Sequence, residues 1–265
     1  AVETHRRLLM FRRLIVRDPS LRRRSMSSQK STSCTKKPLK VLLFDLDGCL
    51  YDADGGYVTH TRQQLFKYIH NQGWVENLEE AEAFWRPKFQ QYNQTYRGLK
   101  AAGLEIDYDD YWATCRAGVD LFLSEDKALK SFLESLPQKK YVVSNCNETQ
   151  VHEALSVMGI GGCFSGVYGA KFMLPHCKPE PQAFQKVLDD LQADPTECAM
   201  FEDSYKNLVT CNEMGMATIF VESEIHVREE GVNASHHAML DAIVSTLSDE
   251  DGAIMREKYP RLYLE

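Results

Sequence analysis

Five short apolar runs recur along this chain, and two of them, Leu39–Asp45 (LKVLLFD) and Cys198–Asp203 (CAMFED), end in acid. The others are Lys140–Asn145 (KYVVSN), Gly166–Tyr168 and Ala217–Val221. Runs this short, apolar rather than alternating, are the pattern of strands buried on both faces of a parallel sheet. Helical periods separate them. Val151, Ala154, Leu155 and Met158 are spaced i, i+3, i+4, i+7, and so are Phe184, Val187, Leu188 and Leu191. Asn147 with Gln150 resembles a capping box, and Pro181 suits a first helical turn. Strand and helix in alternation predict an α/β fold with a parallel sheet and right-handed crossovers.

One segment breaks the alternation. About ninety residues after the first run hold no strand pattern and predict helices near 59–72, 78–99, 108–121 and 125–135. Trp85, Phe89, Tyr92 and Tyr96 form a stripe at i, i+4, i+7, i+11, which reads as core. Asn77 with Glu80 makes a cap, and Pro87 should kink that helix or mark its start. The expected organisation is a core from 38–54 and 136–250, an inserted all-helical domain over the sheet at 55–135, and a tail at 251–265.

Residues 1–37 are unlike the rest. Residues 1–40 carry 12 of the 31 Lys and Arg but 2 of the 38 Asp and Glu, leaving 19 basic against 36 acidic residues elsewhere. A body this acidic is a poor phosphate-backbone binder, so polymeric nucleic acid is not an expected partner. The Arg- and Ser-rich start reads either as a transit peptide or as a segment foreign to the mature protein, disordered in both cases. The compartment expected is the cytoplasm, or a mitochondrion or plastid if that segment is a targeting signal. No stretch approaches the roughly 20 consecutive apolar residues that span a bilayer, so no membrane role is expected. The eight cysteines show no CxxC pair and read as thiols in a reducing compartment. The N-x-S/T triplets at Asn93, Asn147 and Asn233 then count as chance matches.

In an open α/β sheet, ligands bind beyond the carboxyl ends of the strands. Here those ends carry Asp45-Leu46-Asp47-Gly48, Ser144-Asn145, and Glu202-Asp203-Ser204, with Lys178-Pro179 in the loop after the third run. Three or four carboxylates on one rim repel one another unless a hard divalent cation neutralises them, and oxygen ligands select Mg²⁺ over zinc.

FDLDGCLYD (44–52), VVSNCN (142–147), CKPEP (177–181) and MFEDSYKN (200–207) resemble, in order, the four motifs of the haloacid dehalogenase-like hydrolase superfamily. With YNQTYRGL (92–99) and the acidic, tyrosine-rich stretch 107–111, they are similar to its pyrimidine 5′-nucleotidase-like branch. The resemblance implies a Rossmann-like core with a helical cap and a Mg²⁺-dependent phosphomonoester hydrolase. It implies Asp45 as the nucleophile, forming an aspartyl-phosphate, and Asp47 as general acid and base. Asp45, Asp47 (through its carbonyl) and Asp203 would hold Mg²⁺; Ser144, the Asn145 amide and Lys178 would hold phosphate. Glu202 either binds metal through water or finishes a buried strand. Arg97 either meets the substrate from the cap or is solvated. Asn207 braces its loop, and Cys49, Cys146 and Cys177 read as small buried hydrophobes.

The expected partner is a small phosphorylated metabolite, with a pyrimidine nucleoside monophosphate implied by the branch. A dehalogenase would need no acid at Asp47. A phosphomutase, acting for instance on a sugar phosphate, would use the same aspartates. A non-catalytic binding protein should have lost Asp45, Asp47, Lys178 or Asp203, and all four are present. Oligomeric state is not legible.

Overall fold

A computed structural model describes residues 37–222, 231, 233, 236–248, 256 and 259–263. The expectations for residues 1–36 lie outside the described residues. Six strands form one parallel sheet: β1 (Val41–Phe44), β2 (Lys139–Val143), β3 (Gly166–Tyr168), β4 (Cys198–Glu202), β5 (Ala217–Val221) and β6 (Ala242–Val244). Their order is β3-β2-β1-β4-β5-β6. The α/β fold is the one the alternation predicts. The sixth strand, Ala242–Val244, is one the sequence reading does not include. The chain runs outward from β1 to β2 and β3, then returns to start β4 on the other side. That reversal makes the gap between β1 and β4 the topological switch point.

Alternate side chains of the central strands enter two cores. Leu42, Phe44, Val142, Ala199, Phe201, Ile219 and Val221 share one core with helices α5 (Lys127–Glu134) and α6 (Glu148–Val157). Leu43, Val143, Met200 and Phe220 share the other with α8 (Pro181–Leu191) and α9 (Tyr205–Glu213); α7 is the short turn Ala170–Met173. On the first face Phe44 stacks on Phe201 at 4.3 Å and meets Phe164 edge-on at 5.8 Å. At the chain's end Leu262 is fully buried, and Gln138 Nε2 donates to its carbonyl at 2.6 Å.

Between β1 and β2 the main elements are the helices α1 (Tyr57–Asn71), α2 (Leu78–Tyr92), α3 (Thr95–Ala101), α4 (Tyr108–Cys115) and α5. Asn77 caps α2, its side chain accepting from Glu80 N while Glu80 accepts from Asn77 Nδ2. Pro87 lies inside α2 and does not start it. The expected helix 78–99 is two: Asn93 adopts φ +56°, the left-handed conformation that ends a helix, and α3 then starts at Thr95. The expected helix 108–121 stops at Cys115 and resumes as a 3₁₀ turn, Val119–Leu121, after Gly118 at φ +81°. Trp85 stacks on Phe89, whereas Tyr96, now on α3, packs against Tyr108 and Tyr111. The apolar interior of these helices is continuous with the first core.

Phe44→Ala should cost about 3–5 kcal/mol of stability, since it removes a fully buried ring between two others. Urea unfolding of variant and wild type would measure this, and a loss under about 1 kcal/mol would show that the site collapses to fill the gap.

Candidate active site

The switch point gathers the strand-end residues of β1 and β4. Asp45 follows β1 directly, its backbone N–H donating to the Phe201 carbonyl at 2.9 Å, which fixes it beside Glu202 and Asp203. Lys178, buried to 1% exposure, sets its ammonium 2.8 Å from Asp45 Oδ1 and 2.7 Å from Glu202 Oε2. Glu202 also accepts from Ser204 N at 3.1 Å. Its placement therefore answers the open alternative in part: it ends a buried strand and supplies the counter-charge that lets a lysine be buried. Asn145 holds the Lys178 backbone from both sides, Oδ1 accepting from Lys178 N and Nδ2 donating to Lys178 O, each at 2.9 Å.

Burial, reinforced by Glu202 and Asp47, pushes the Asp45 carboxyl up to about 8 against the pull of Lys178. Burial, with Asp203 beside it, also raises Glu202. Burial works against the Lys178 charge, yet Asp45 and Glu202 outweigh it and hold the ammonium above its usual range. The rim thus holds more negative charge than one lysine neutralises. Asp45, Glu202 and Asp203, all buried, offer carboxylate oxygens within 4.8 Å of one another. This all-oxygen set fits a hard divalent cation such as Mg²⁺. Gly48, at φ +81°, leaves room for the Asp203 carboxylate, which a Cβ there would overlap.

Asp47 points away from that cluster and is held by a residue the sequence did not single out. Arg116, immediately after α4, grips it bidentately, Nη1 to Oδ2 at 2.8 Å and Nη2 to Oδ1 at 2.7 Å. The Tyr51 hydroxyl donates to Oδ1 as well. Burial opposes the Asp47 charge, but the Arg116 guanidinium and Tyr51 together hold its carboxyl below the usual carboxylate range.

Ser144 is buried on the rim, with Oγ accepting from Cys146 N at 3.1 Å. Asn147 stands at the start of α6 but its side chain makes no cap; it donates to Gln150 and accepts from the Tyr108 hydroxyl. The turn between α2 and α3 binds the rim loops. Gln94 Nε2 donates to Asn145 O, Asn145 Nδ2 to Asn93 O, and Lys206 Nζ to Asn93 Oδ1. Arg97, expected either to meet a substrate or to be solvated, belongs to this seam. Its guanidinium lies 2.6 Å from Glu180 Oε1 and 2.7 Å from Cys177 Sγ, and it does not line the cavity below the helices. A carboxylate one turn into the neighbouring loop captures it.

That cavity, about 560 Å³, lies between the rim and the helices. Its floor is Asp45, Asp47, Ser144, Asn145, Lys178, Glu202, Asp203 and Asn207; its far wall includes Trp85, Phe89, Trp112 and the cations Arg62 and Arg86. The stripe read as core therefore has two members, Trp85 and Phe89, that are also cavity wall, while Tyr92 and Tyr96 are not.

Lys178→Met should cost about 3–5 kcal/mol at neutral pH, because two buried carboxylates lose their counter-charge. Carboxyls whose folded pKa is raised favour the folded state when protonated. The loss should therefore be greatest above pH 8 and shrink as pH falls toward about 4. Urea titrations in chelator at pH 5 and pH 8 test this, and equal losses at both would contradict it.

The comparisons bear on this geometry. The chain is 26% identical over 187 residues to the pyrophosphatase PpaX of Bacillus velezensis, covering 69% of this chain and 83% of that protein. It is 24% identical over 213 residues to the pyrophosphatase PpaX of Anoxybacillus flavithermus, covering 79% and 96%. A solved phosphatase of the same fold, from Thermococcus onnurineus, superposes with a TM-score of 0.57 at 17% identity, over 82% of this chain and 98% of that one. The model of the haloacid dehalogenase-like hydrolases matches residues 39–215, from the start of the first strand to the end of α9 and so through every rim residue described above. This chain belongs to the haloacid dehalogenase-like hydrolase family.

Proposed function

We propose that the protein is a Mg²⁺-dependent phosphomonoester hydrolase acting on a small phosphorylated metabolite through an aspartyl-phosphate. The observation that carries this reading is the buried set of Asp45, Lys178, Glu202 and Asp203 at the switch point, with Asp47 two residues beyond the nucleophile position. Its pyrophosphatase relatives support hydrolysis at phosphorus as the reaction class.

Asp45 attacks phosphorus as the bond to the leaving oxygen breaks, and Asp47 supplies a proton to that oxygen. Water then attacks the phosphoenzyme; Asp47 takes its proton back and the Asp45 carboxylate is released. Lys178 and Ser144 hold the phosphoryl oxygens, and Lys178 also keeps Asp45 in place. Asp45, the Asp47 carbonyl and Asp203 would hold Mg²⁺, which would offset the negative charge of carboxylates and phosphate. The helices 55–135 act as a cap over the rim, excluding water from the bound ester. The leaving group we assign, from the motif resemblance, is a pyrimidine nucleoside; Trp85, Phe89 and Trp112 line the cavity and make part of its wall apolar.

Asp45→Asn should abolish turnover with the fold intact, because an amide of nearly the same shape does not attack phosphorus. Acid quenching should trap a phosphoenzyme in the wild type and none in the variant; appreciable steady-state activity in Asp45→Asn would refute the covalent route. Asp203→Ala should raise the Mg²⁺ concentration needed for half-maximal activity sharply. Wild-type activity at sub-millimolar Mg²⁺ in that variant would remove Asp203 from the ligand set. Release of phosphate from a panel of nucleotides, sugar phosphates and diphosphate tests the leaving group.

A further inference from the structure

The charges around the cavity are sorted by position. Among the described residues that line it, the acids Asp45, Asp47, Glu202 and Asp203 all lie at the floor, where Lys178 and Arg116 pair with three of them. The other lining cations stand along the aromatic wall. The Arg62 guanidinium, from α1, lies 5.6 Å from the centre of the Trp85 ring, and the Arg86 guanidinium, from α2, lies 5.7 Å from it. Lys206 starts on α9 beside the floor, yet its ammonium lies 5.5 Å from the Phe89 ring and donates to Asn93 Oδ1 at 3.0 Å. Trp85 and Phe89 are themselves stacked at 5.1 Å, so one aromatic strip carries cations from three helices. Arg86 also pairs with Glu82, one turn back on α2, which does not line the cavity.

Cations on the wall of a recess act more strongly than on a convex surface, because the low-dielectric walls focus their field. The floor accounts for one anionic group of a substrate, the phosphoryl. Whatever extends from it toward Trp85 and Phe89 meets positive charge again, and a second oxyanion answers that charge best. Guanidinium groups in particular match the oxygens of carboxylate and phosphate.

We propose that Arg62, Arg86 and Lys206 form an anion subsite for the leaving group, so that the preferred substrates are phosphate esters whose leaving group itself carries a carboxylate or a second phosphate. The inference rests on the hydrolase reading above and narrows its substrate class: nucleosides bearing such a group are favoured over neutral ones. The subsite touches no reacting atom. It binds the anion alike before and during the reaction, so its effect falls on KM more than on kcat.

Two matched pairs of esters isolate the second charge. One is glycerol 3-phosphate against 3-phosphoglycerate; the other is uridine 5′-monophosphate against uridine 3′,5′-bisphosphate, with release of the 5′-phosphate scored by chromatography. In the wild type with Mg²⁺, kcat/KM for the anion-bearing member of at least one pair should exceed that of its partner by about tenfold, the equivalent of one charged hydrogen bond at the lower end of its range. The pair that shows the advantage tells whether a carboxylate or a phosphate is held. Arg62→Gln and Arg86→Gln should each shrink the ratio by about two- to fivefold, as for a partly exposed ion pair, and the double variant should bring it close to one. Arg86→Lys, which keeps the charge, should retain more of the ratio than Arg86→Gln. Arg86 is exposed, so its variants serve if Arg62→Gln does not fold. Calorimetric binding of the same esters to Asp45→Asn reads the subsite without turnover, and its Kd ratios should follow the same order.

Ratios near one in both pairs for the wild type would overturn the proposal. So would a ratio that survives the double variant, which would place the second anion elsewhere, or equal losses on both members of a pair, which would make these cations part of the scaffold. Wild-type protein that releases phosphate from no ester would instead refute the hydrolase reading, and the Kd ratios in Asp45→Asn would still decide the subsite.

Discussion

A single ammonium group, Lys178 Nζ, holds the centre of this protein together. It is buried between carboxylates of two strands, Asp45 after β1 and Glu202 in β4. A lysine in such a place carries a desolvation cost of several kcal/mol, offset only if its partners stay in hydrogen-bond range. That requirement fixes the register of β1 against β4 at its functional end, beyond what Phe44 against Phe201 fixes on the apolar side. It also fixes the loop that carries Lys178, which Asn145 clasps at both backbone groups. Strand ends, loop and amide clasp stand or fall together.

The structure divides the acids of the rim into two environments. Asp45, Glu202 and Asp203 crowd one another around one cation, and Asp45 and Glu202 are driven toward the protonated side. Asp47, two residues from Asp45, meets a guanidinium and a phenol and is driven the other way. Two carboxyls two residues apart thus stand in opposite electrostatic surroundings, set by the fold and not by the sequence between them. The difference arises from where the side chains point. Asp45 ends the strand facing β4, and Asp47 has turned out of it toward the helices.

Most of the core was legible because buried parallel strands must be apolar nearly throughout. Leu42 to Phe44, Ala199 to Phe201 and Thr218 to Val221 show it. The rim acids and Ser144 were legible because polar residues directly after such runs have few structural reasons to be there, and Lys178 because CKPEP resembles a family motif. Arg97 and Arg116 show the limit. Both are arginines of the helical segment, and nothing local distinguishes one that Glu180 captures from one that grips Asp47. The only trace was that Arg116 stands among Trp112, Cys115 and Val119, an unusually apolar neighbourhood for a guanidinium. Helix boundaries inside the segment were missed for a similar reason: a non-glycine residue, Asn93, takes the left-handed turn.

The seam between the α2–α3 turn and the rim loops is made of amides, a carboxylate and cations. Such groups exchange one another for water at a net change of only about 0.5–1.5 kcal/mol per hydrogen bond. An apolar seam would expose surface at roughly 25 cal/mol for each Å² uncovered. A join stitched from polar contacts resembles a fastener more than a weld. It parts and re-forms at constant composition of the cores on either side, and its strength falls as salt screens the Arg97–Glu180 pair.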